Sequence, residues 1–207
     1  MKVLEREVGV QLPVMEAFYT VQGEGAYSGH AAYFIRLGGC DVGCIWCDVK
    51  ESWEADSHPK QTLEQIVADA NAFPAKLAVI TGGEPLMHNL DELTKQLHKD
   101  GFIINIETSG AHPLSGELDW ICLSPKKFKK PLPEFFEKAN ELKIIVYNKS
   151  DFAWAESYAE KMGKNCRLFL QPEWSKHAEM LPLIVEYVKQ NPKWQISLQT
   201  HKFMDIP

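Results

Sequence analysis

The chain reads as an α/β protein built on a truncated, partial TIM-like barrel of mainly parallel strands with a reduced helix set. Three observations point there. Short β-rich apolar runs alternate with amphipathic helical stretches along most of the 207 residues, and strand–helix–strand alternation calls for parallel pairing through right-handed crossovers. The strand candidates fall just short of an eight-unit barrel, which needs about 250 residues. The unusual residues, finally, gather at the C-terminal ends of those candidates, the rim on which parallel sheets build sites. A doubly wound open sheet is the alternative that alternation alone leaves standing.

The strand candidates are 31–38 (AAYFIRLG), 76–83 (KLAVITGG), 101–110 (GFIINIETSG), 118–125 (LDWICLSP), 141–147 (ELKIIVY), 166–172 (CRLFLQP) and 194–200 (WQISLQT). Each is rich in β-branched or aromatic residues and is bounded by turn formers. Helices fit between several of them. One begins at Thr62, with Gln65 three residues on as its capping-box partner. Another begins near Asn89, with Glu92 in the same relation, and stops at Gly101 as its C′ residue. A third covers about 150–163. A fourth follows Ser175, and Pro182 either kinks it or delays its start. No repeat, low-complexity stretch or linker interrupts the chain, so 1–207 is expected to be one domain.

Lys and Arg number 22 against 28 Asp and Glu, for a formal charge of −6. With no basic stripe, a nucleic-acid partner is not expected. The start, MKVLEREVGVQLPV, is too charged for a signal-peptide core, and no apolar run is long enough to span a bilayer. A cytoplasmic location follows as the expectation. Thiols stay reduced there, so clustered cysteines suggest a metal or a catalyst rather than a disulfide.

The cluster is GGCDVGCIWCD (38–48), with Cys40, Cys44 and Cys47 in one loop and Gly43 helping the backbone turn. An iron–sulfur cube normally takes four cysteines. Three leave one iron without a protein ligand, where a small molecule can bind. Cys122 in WICLS and Cys166 in CRLFL read as small core residues. A zinc site recruiting His58 or His88 as fourth ligand is the competing reading, although paired CxxC halves are missing. Further along, TGGEP, ETSG, SPK, QP and QTH end successive strand candidates. Turn formation explains each one singly; it does not explain Glu, Thr and Lys recurring on one rim.

CxxxCxxC with Trp46 before the last cysteine resembles the signature of the radical S-adenosylmethionine (SAM) family, and TGGEP (81–85) and ETSG (107–110) resemble that family's later strand-end segments in the same order. The resemblance implies that Cys40, Cys44 and Cys47 hold a 4Fe-4S cluster on the loop at about 38–50. It also implies that SAM chelates the open iron. By the same resemblance SAM meets Trp46, Cys47, Asp48, Gly83, Ser109, Ser124, Pro125 and Lys126, with Gln171 a weaker addition. Gly83 has a warrant of its own, since a residue without a side chain lets backbone approach a ligand closely.

Residues 18–48 and 197–207 further resemble the members of that family that convert 6-carboxy-5,6,7,8-tetrahydropterin to 7-carboxy-7-deazaguanine with release of ammonia, on the route to queuosine and other 7-deazapurines. This implies substrate contacts at Val21, Gln22, Gly23, Arg36 and Thr81. The tail 197–207 would complete the site through the Pro207 carboxylate, with His201 beside it. Glu24 suits the aminopyrimidine edge of a pterin, and the Arg36 fork suits a carboxylate. The resemblance also implies a homodimer, an external one-electron donor such as flavodoxin or ferredoxin, and Mg²⁺ held in part by a threonine. Val49 stands at that threonine's position and has no oxygen for a hard cation, so the metal's protein ligand stays unassigned.

Plainer roles stand beside each of these. Arg36 would be an edge-strand surface residue, Glu24 a solvated loop carboxylate, His201 a surface histidine, Glu84 a loop brace and PKKFKKP (125–131) a solvated loop. Two other functions compete: a radical enzyme of a different kind, such as a glycyl-radical activase, and a non-catalytic zinc-binding module.

Overall fold

The computed structural model describes residues 9–45, 47 and 49–207. In chain order the elements are β1 (Gln11–Val21), β2 (Ala31–Leu37), β3 (Lys60–Thr62), α1 (Leu63–Asn71), β4 (Leu77–Gly82), α2 (Asp91–Lys99), β5 (Ile103–Thr108), β6 (Trp120–Leu123), α3 (Glu134–Lys138), β7 (Glu141–Val146), α4 (Ser150–Ala159), β8 (Arg167–Pro172), α5 (His177–Gln190), β9 (Trp194–Ile196) and α6 (Thr200–Met204). The strands form one sheet in the order β3-β1-β2-β4-β5-β6-β7-β8-β9. From β2 to β9 every neighbouring pair is parallel. Spatial order there follows chain order without reversing. A doubly wound sheet must reverse at a switch point, so that alternative is set aside. The sheet ends at β3 and β9 and stays open, as the partial-barrel reading expects.

Period-2 alternation sorts each strand's side chains between two faces. The outer face carries Ile35, Leu37, Ile80, Ile104, Ile106 and Ile144, packed with Ile66, Leu93, Leu97 and Ile184 of the covering helices. Truncating one such leucine to alanine costs about 2–5 kcal/mol. The inner face changes character along its length. At its N-terminal end Ala32, Leu77 and Val79 pack with Tyr27 and Phe34 into a small second core. Two or more residues further along β2 and β4 come Arg36 and Thr81, with Glu107 of β5 and Lys143 of β7 beyond them on the cavity wall. The concave side is therefore apolar at the bottom and charged at the rim.

Several elements differ from the sequence reading for identifiable reasons. β1 was not expected. It contains Pro13, which reads as a breaker, and a bulge shifts its register against β2 between Val14 and Glu16. The last strand stops at Ile196, and Thr200 opens a short helix instead. α2 starts at Asp91 rather than Asn89: the Asn89 Oδ1 accepts the Asp91 N–H at 2.9 Å, a turn that precedes the helix without capping it. Its C-terminal end is as expected. Gly101 has φ 80°, and the N–H groups of Gly101 and Phe102 donate to His98 and Leu97. Thr62 caps α1 by accepting the Gln65 N–H at 3.3 Å, but the Gln65 amide turns to Asp69 and leaves the capping box half made. α4 ends at Ala159, short of 163, and α5 runs through Pro182 as a single helix.

Candidate active site

The cysteine loop leaves β2 through Gly38 and Gly39, and the loop after β4 is stitched directly to it. Glu84 N–H donates to Gly39 O at 2.8 Å and Gly83 N–H to Leu37 O at 3.1 Å. A Cβ on Gly83 would lie 2.4 Å from Gly39 O and 2.6 Å from the Cys40 Cβ. The missing side chain thus serves the seating of the cysteine loop as much as any ligand. His88 Nε2 sits 2.7 Å from Gly38 O and His58 Nε2 2.8 Å from Glu51 O. Both histidines considered as zinc ligands are backbone braces here.

Cys40, Cys44 and Cys47 are free thiols, partly exposed, and all three face a cavity of about 310 Å³ at the C-terminal rim. Cys122 is buried under Glu141 and Cys166 bonds backbone at Arg167; neither lines the cavity. Among the described residues no three His, Cys, Asp or Glu converge tightly enough for a single metal ion, which is what zinc requires. Three separate thiols on one wall, with no fourth nearby, fit a multi-iron cluster with one open corner. Burial pushes the free Cys40 and Cys44 thiols up, and binding a cationic centre would reverse that.

Glu84 is the brace foreseen as its plainer role. Almost fully buried, it accepts the Thr108 hydroxyl at 2.6 Å, the Ser109 N–H at 2.8 Å and the Ser109 hydroxyl, so the β4 and β5 strand ends move as one.

The same cavity holds a buried charge group that sequence reasoning largely missed. Lys143 Nζ donates to Glu24 at 2.6 Å and to Glu107 at 2.8 Å. Burial would raise Glu24, yet the Lys143 charge and hydrogen bond outweigh it and take the carboxyl down to about 2. Burial dominates at Glu107 and holds its pKa above the usual carboxylate value, with Glu141 and Glu24 adding repulsion. One ammonium between two carboxylates thus keeps one firmly ionised, while burial still raises the pKa of the other. Glu141 supports the group by accepting the Ala26 N–H at 3.0 Å and the Trp120 indole at 3.1 Å. The signal for Lys143 was present, since a lysine inside the apolar run ELKIIVY must point somewhere unusual.

The C-terminal segment closes over this group. Thr200 N–H and hydroxyl both donate to Gly23 O, at 3.0 and 2.9 Å, and Gln199 donates to Glu24 at 3.0 Å. A Cβ on Gly23 would fall 2.3 Å from His201 Nδ1. The Thr20 hydroxyl donates to Pro207 O at 3.3 Å, so the tail is tied down rather than loose.

The cavity gathers nearly every residue singled out from sequence. Val21, Gln22, Gly23, Glu24, Arg36, Thr81, His201 and Pro207 line it, as do Val49, Gly83, Ser109, Ser124, Lys126 and Gln171. Pro125 does not, and Trp46 and Asp48 lie outside the described residues. Arg36 is not on an edge, since β2 lies between β1 and β4; its Nε donates to Glu16 at 2.6 Å. Lys126 donates to the Ser124 hydroxyl at 2.6 Å, and burial lowers its pKa.

A family model for the radical SAM superfamily matches residues 34–145. The chain is 58% identical over 201 residues to a 7-carboxy-7-deazaguanine synthase of Flavobacterium psychrophilum, covering 97% of this chain and 95% of the relative. A protein of the same name from Synechocystis is 48% identical over 197 residues, covering 95% and 94%. The crystal structure of QueE from Escherichia coli superimposes with a TM-score of 0.83 at 33% identity, covering 91% of this chain and 93% of that one.

Proposed function

The chain belongs to the radical SAM superfamily and, within it, to the family of 7-carboxy-7-deazaguanine synthases, and from that premise we propose that it converts 6-carboxy-5,6,7,8-tetrahydropterin to 7-carboxy-7-deazaguanine with release of ammonia, a step toward queuosine-type 7-deazapurines. The family's cofactors are a 4Fe-4S cluster and SAM. The observation that carries the proposal is that three free thiols and the Glu24–Lys143–Glu107 group line one cavity, with the chain's own tail on its wall.

When bound, the cluster and SAM supply a hydrogen-abstracting radical. Cys40, Cys44 and Cys47 would hold the cluster. Gly83, Ser109, Ser124, Lys126 and Gln171 form the SAM wall, with Trp46, Asp48 and Pro125 assigned beside them by resemblance. On the pterin side Glu24, kept anionic by Lys143, accepts N–H groups of the aminopyrimidine edge. Arg36 has its Nε engaged by Glu16, which turns the rest of the fork to a carboxylate. Val21, Gln22, Gly23 and Thr81 frame the ring, and His201 and the Pro207 carboxylate cap it. Glu107 is the wall group placed to carry a proton, and a departing amine needs one. Closure by the tail excludes water and confines a reactive substrate.

A glycyl-radical activase needs an open face for a protein substrate, which a tail hydrogen-bonded over the cavity does not offer. We further propose a homodimer that receives single electrons from flavodoxin or ferredoxin in the cytoplasm. No described helix is long and apolar enough to cross a membrane. Mg²⁺, where used, takes its ligands from substrate and water, because Val49 at the cavity wall has no oxygen to give.

Anaerobic turnover of the carboxylated tetrahydropterin with SAM and a reductant tests the reaction directly: ammonia and 7-carboxy-7-deazaguanine appear together. Intact cluster without product would refute the substrate. Cys44→Ala should remove both the cluster absorbance near about 400 nm and activity, and a fully active variant would refute the ligand set.

A further inference from the structure

Between the first two cysteines of the loop sits a side chain that the proposed reaction does not use. Asp41 accepts the Lys129 ammonium on Oδ2 at 2.6 Å, and its Oδ1 lies 2.9 Å from His112 Nε2. The Lys129 Nζ and His112 Nε2 are themselves 3.2 Å apart. A carboxylate facing Nε2 selects the tautomer with its proton there, so Asp41 receives a donor on each oxygen. These three residues come from three different strand ends. Asp41 follows Cys40. His112 lies three residues beyond Ser109, and Lys129 three residues beyond Lys126. The turn that brings Lys129 round is closed by a bridge between Lys126 and Lys129.

We propose that Asp41, His112 and Lys129 are positioning residues: a clamp that sets the cysteine loop against the two loops forming the SAM wall. The inference rests on the proposed function for what the loops bind, but not for the clamp itself. None of the three lines the cavity. Their partly exposed side chains put them at the rim, where they act through the loops they join. Exposed ion pairs are individually weak. Here two donors from two other loops converge on one carboxylate, in a loop whose tip carries Gly43 at φ 71° and the exposed Ile45. Among the described residues of that segment Val42 is the one buried apolar anchor and Ile45 is exposed, so polar ties share in fixing its position. Radical chemistry depends on placement more than on acid–base strength, so small displacements here should appear as misdirected turnover rather than as unfolding.

The test compares Asp41→Ala, Lys129→Met, their double variant and Lys129→Arg in the full-length protein. In the metal-free protein, amide hydrogen exchange over 40–47 should quicken about tenfold in both single variants, equivalent to 1.4 kcal/mol. The melting temperature should stay close to that of the parent. In reconstituted enzyme the ratio of 5′-deoxyadenosine formed to deazaguanine formed should rise severalfold. The double variant should match the singles, and Lys129→Arg should restore most of the coupling. Should Asp41→Ala fail to fold, Lys129→Met on its exposed loop reads the same quantities. Unchanged exchange and an unchanged ratio in foldable variants would overturn the clamp. If the parent makes no deazaguanine while exchange still quickens in the variants, the clamp stands and the reaction assignment falls instead.

Discussion

Glu107 Oε2 lies 2.8 Å from the Lys143 ammonium, which is almost wholly buried and holds Glu24 at 2.6 Å on its other side. Neither carboxylate could stay buried without that cation. Lys143→Met, close in volume but uncharged, leaves both uncompensated, and breaking a buried pair this way costs about 3–5 kcal/mol. Urea unfolding of the variant should show a loss of that order together with loss of turnover. A loss below about 1 kcal/mol would mean that water substitutes for the ammonium.

The same group sets an acid limit. Glu24 titrates at about 2 in the folded chain against an ordinary 4.5, so its contribution to stability is present above 4.5 and is lost as pH falls toward 2. The difference is worth about 3 kcal/mol. Glu107 works in the opposite sense: its raised pKa gives a contribution that is lost as pH rises, so it adds nothing to the acid loss. Stability measured from pH 5 to pH 2 should therefore fall more steeply in the parent than in Glu24→Gln, and equal slopes would refute the depressed value.

Gly23→Ala tests the tail. Its new Cβ would sit 2.3 Å from His201 Nδ1 and 2.7 Å from the His201 backbone nitrogen, and backbone cannot yield cheaply. The helix Thr200–Met204 should lift, raising the KM for the pterin about tenfold while cluster content stays unchanged, a loss of 1.4 kcal/mol of binding. Unaltered KM would show that the tail does not cap the substrate.

Val49→Thr tests the metal. Threonine offers the oxygen that valine lacks. The variant should gain a dependence on added Mg²⁺, read as a larger fall in rate on chelation than the parent shows. An identical response in both would exclude this position as a ligand site.

Most of the parallel sheet was legible because a parallel strand is buried on both faces and leaves an apolar run, as in Leu77–Ile80. β1 was harder, since a proline, a bulge and an exposed Glu16 blur its period. The cysteine trio and the loop glycines were legible because metal ligands and tight turns restrict residue type locally. The pairing of Glu107 with Lys143 was not: a glutamate at a strand end and a lysine inside an apolar run are each visible as oddities, but they stand 36 positions apart. Their meaning arises only when parallel register sets neighbouring strand ends side by side.

That contrast marks the division for this chain. Its residue pattern alone determined the run of parallel strands, the three-thiol loop and the order of rim motifs, because period, turn chemistry and ligand type act over a few neighbouring residues. Tertiary structure alone decided that the Glu24 pKa is driven down while that of Glu107 is raised, that Gly83 seats Cys40, and that Asp41 is gripped from two other loops. Each of those depends on distances between segments far apart in the chain, and electrostatics and steric contact act through distance in space.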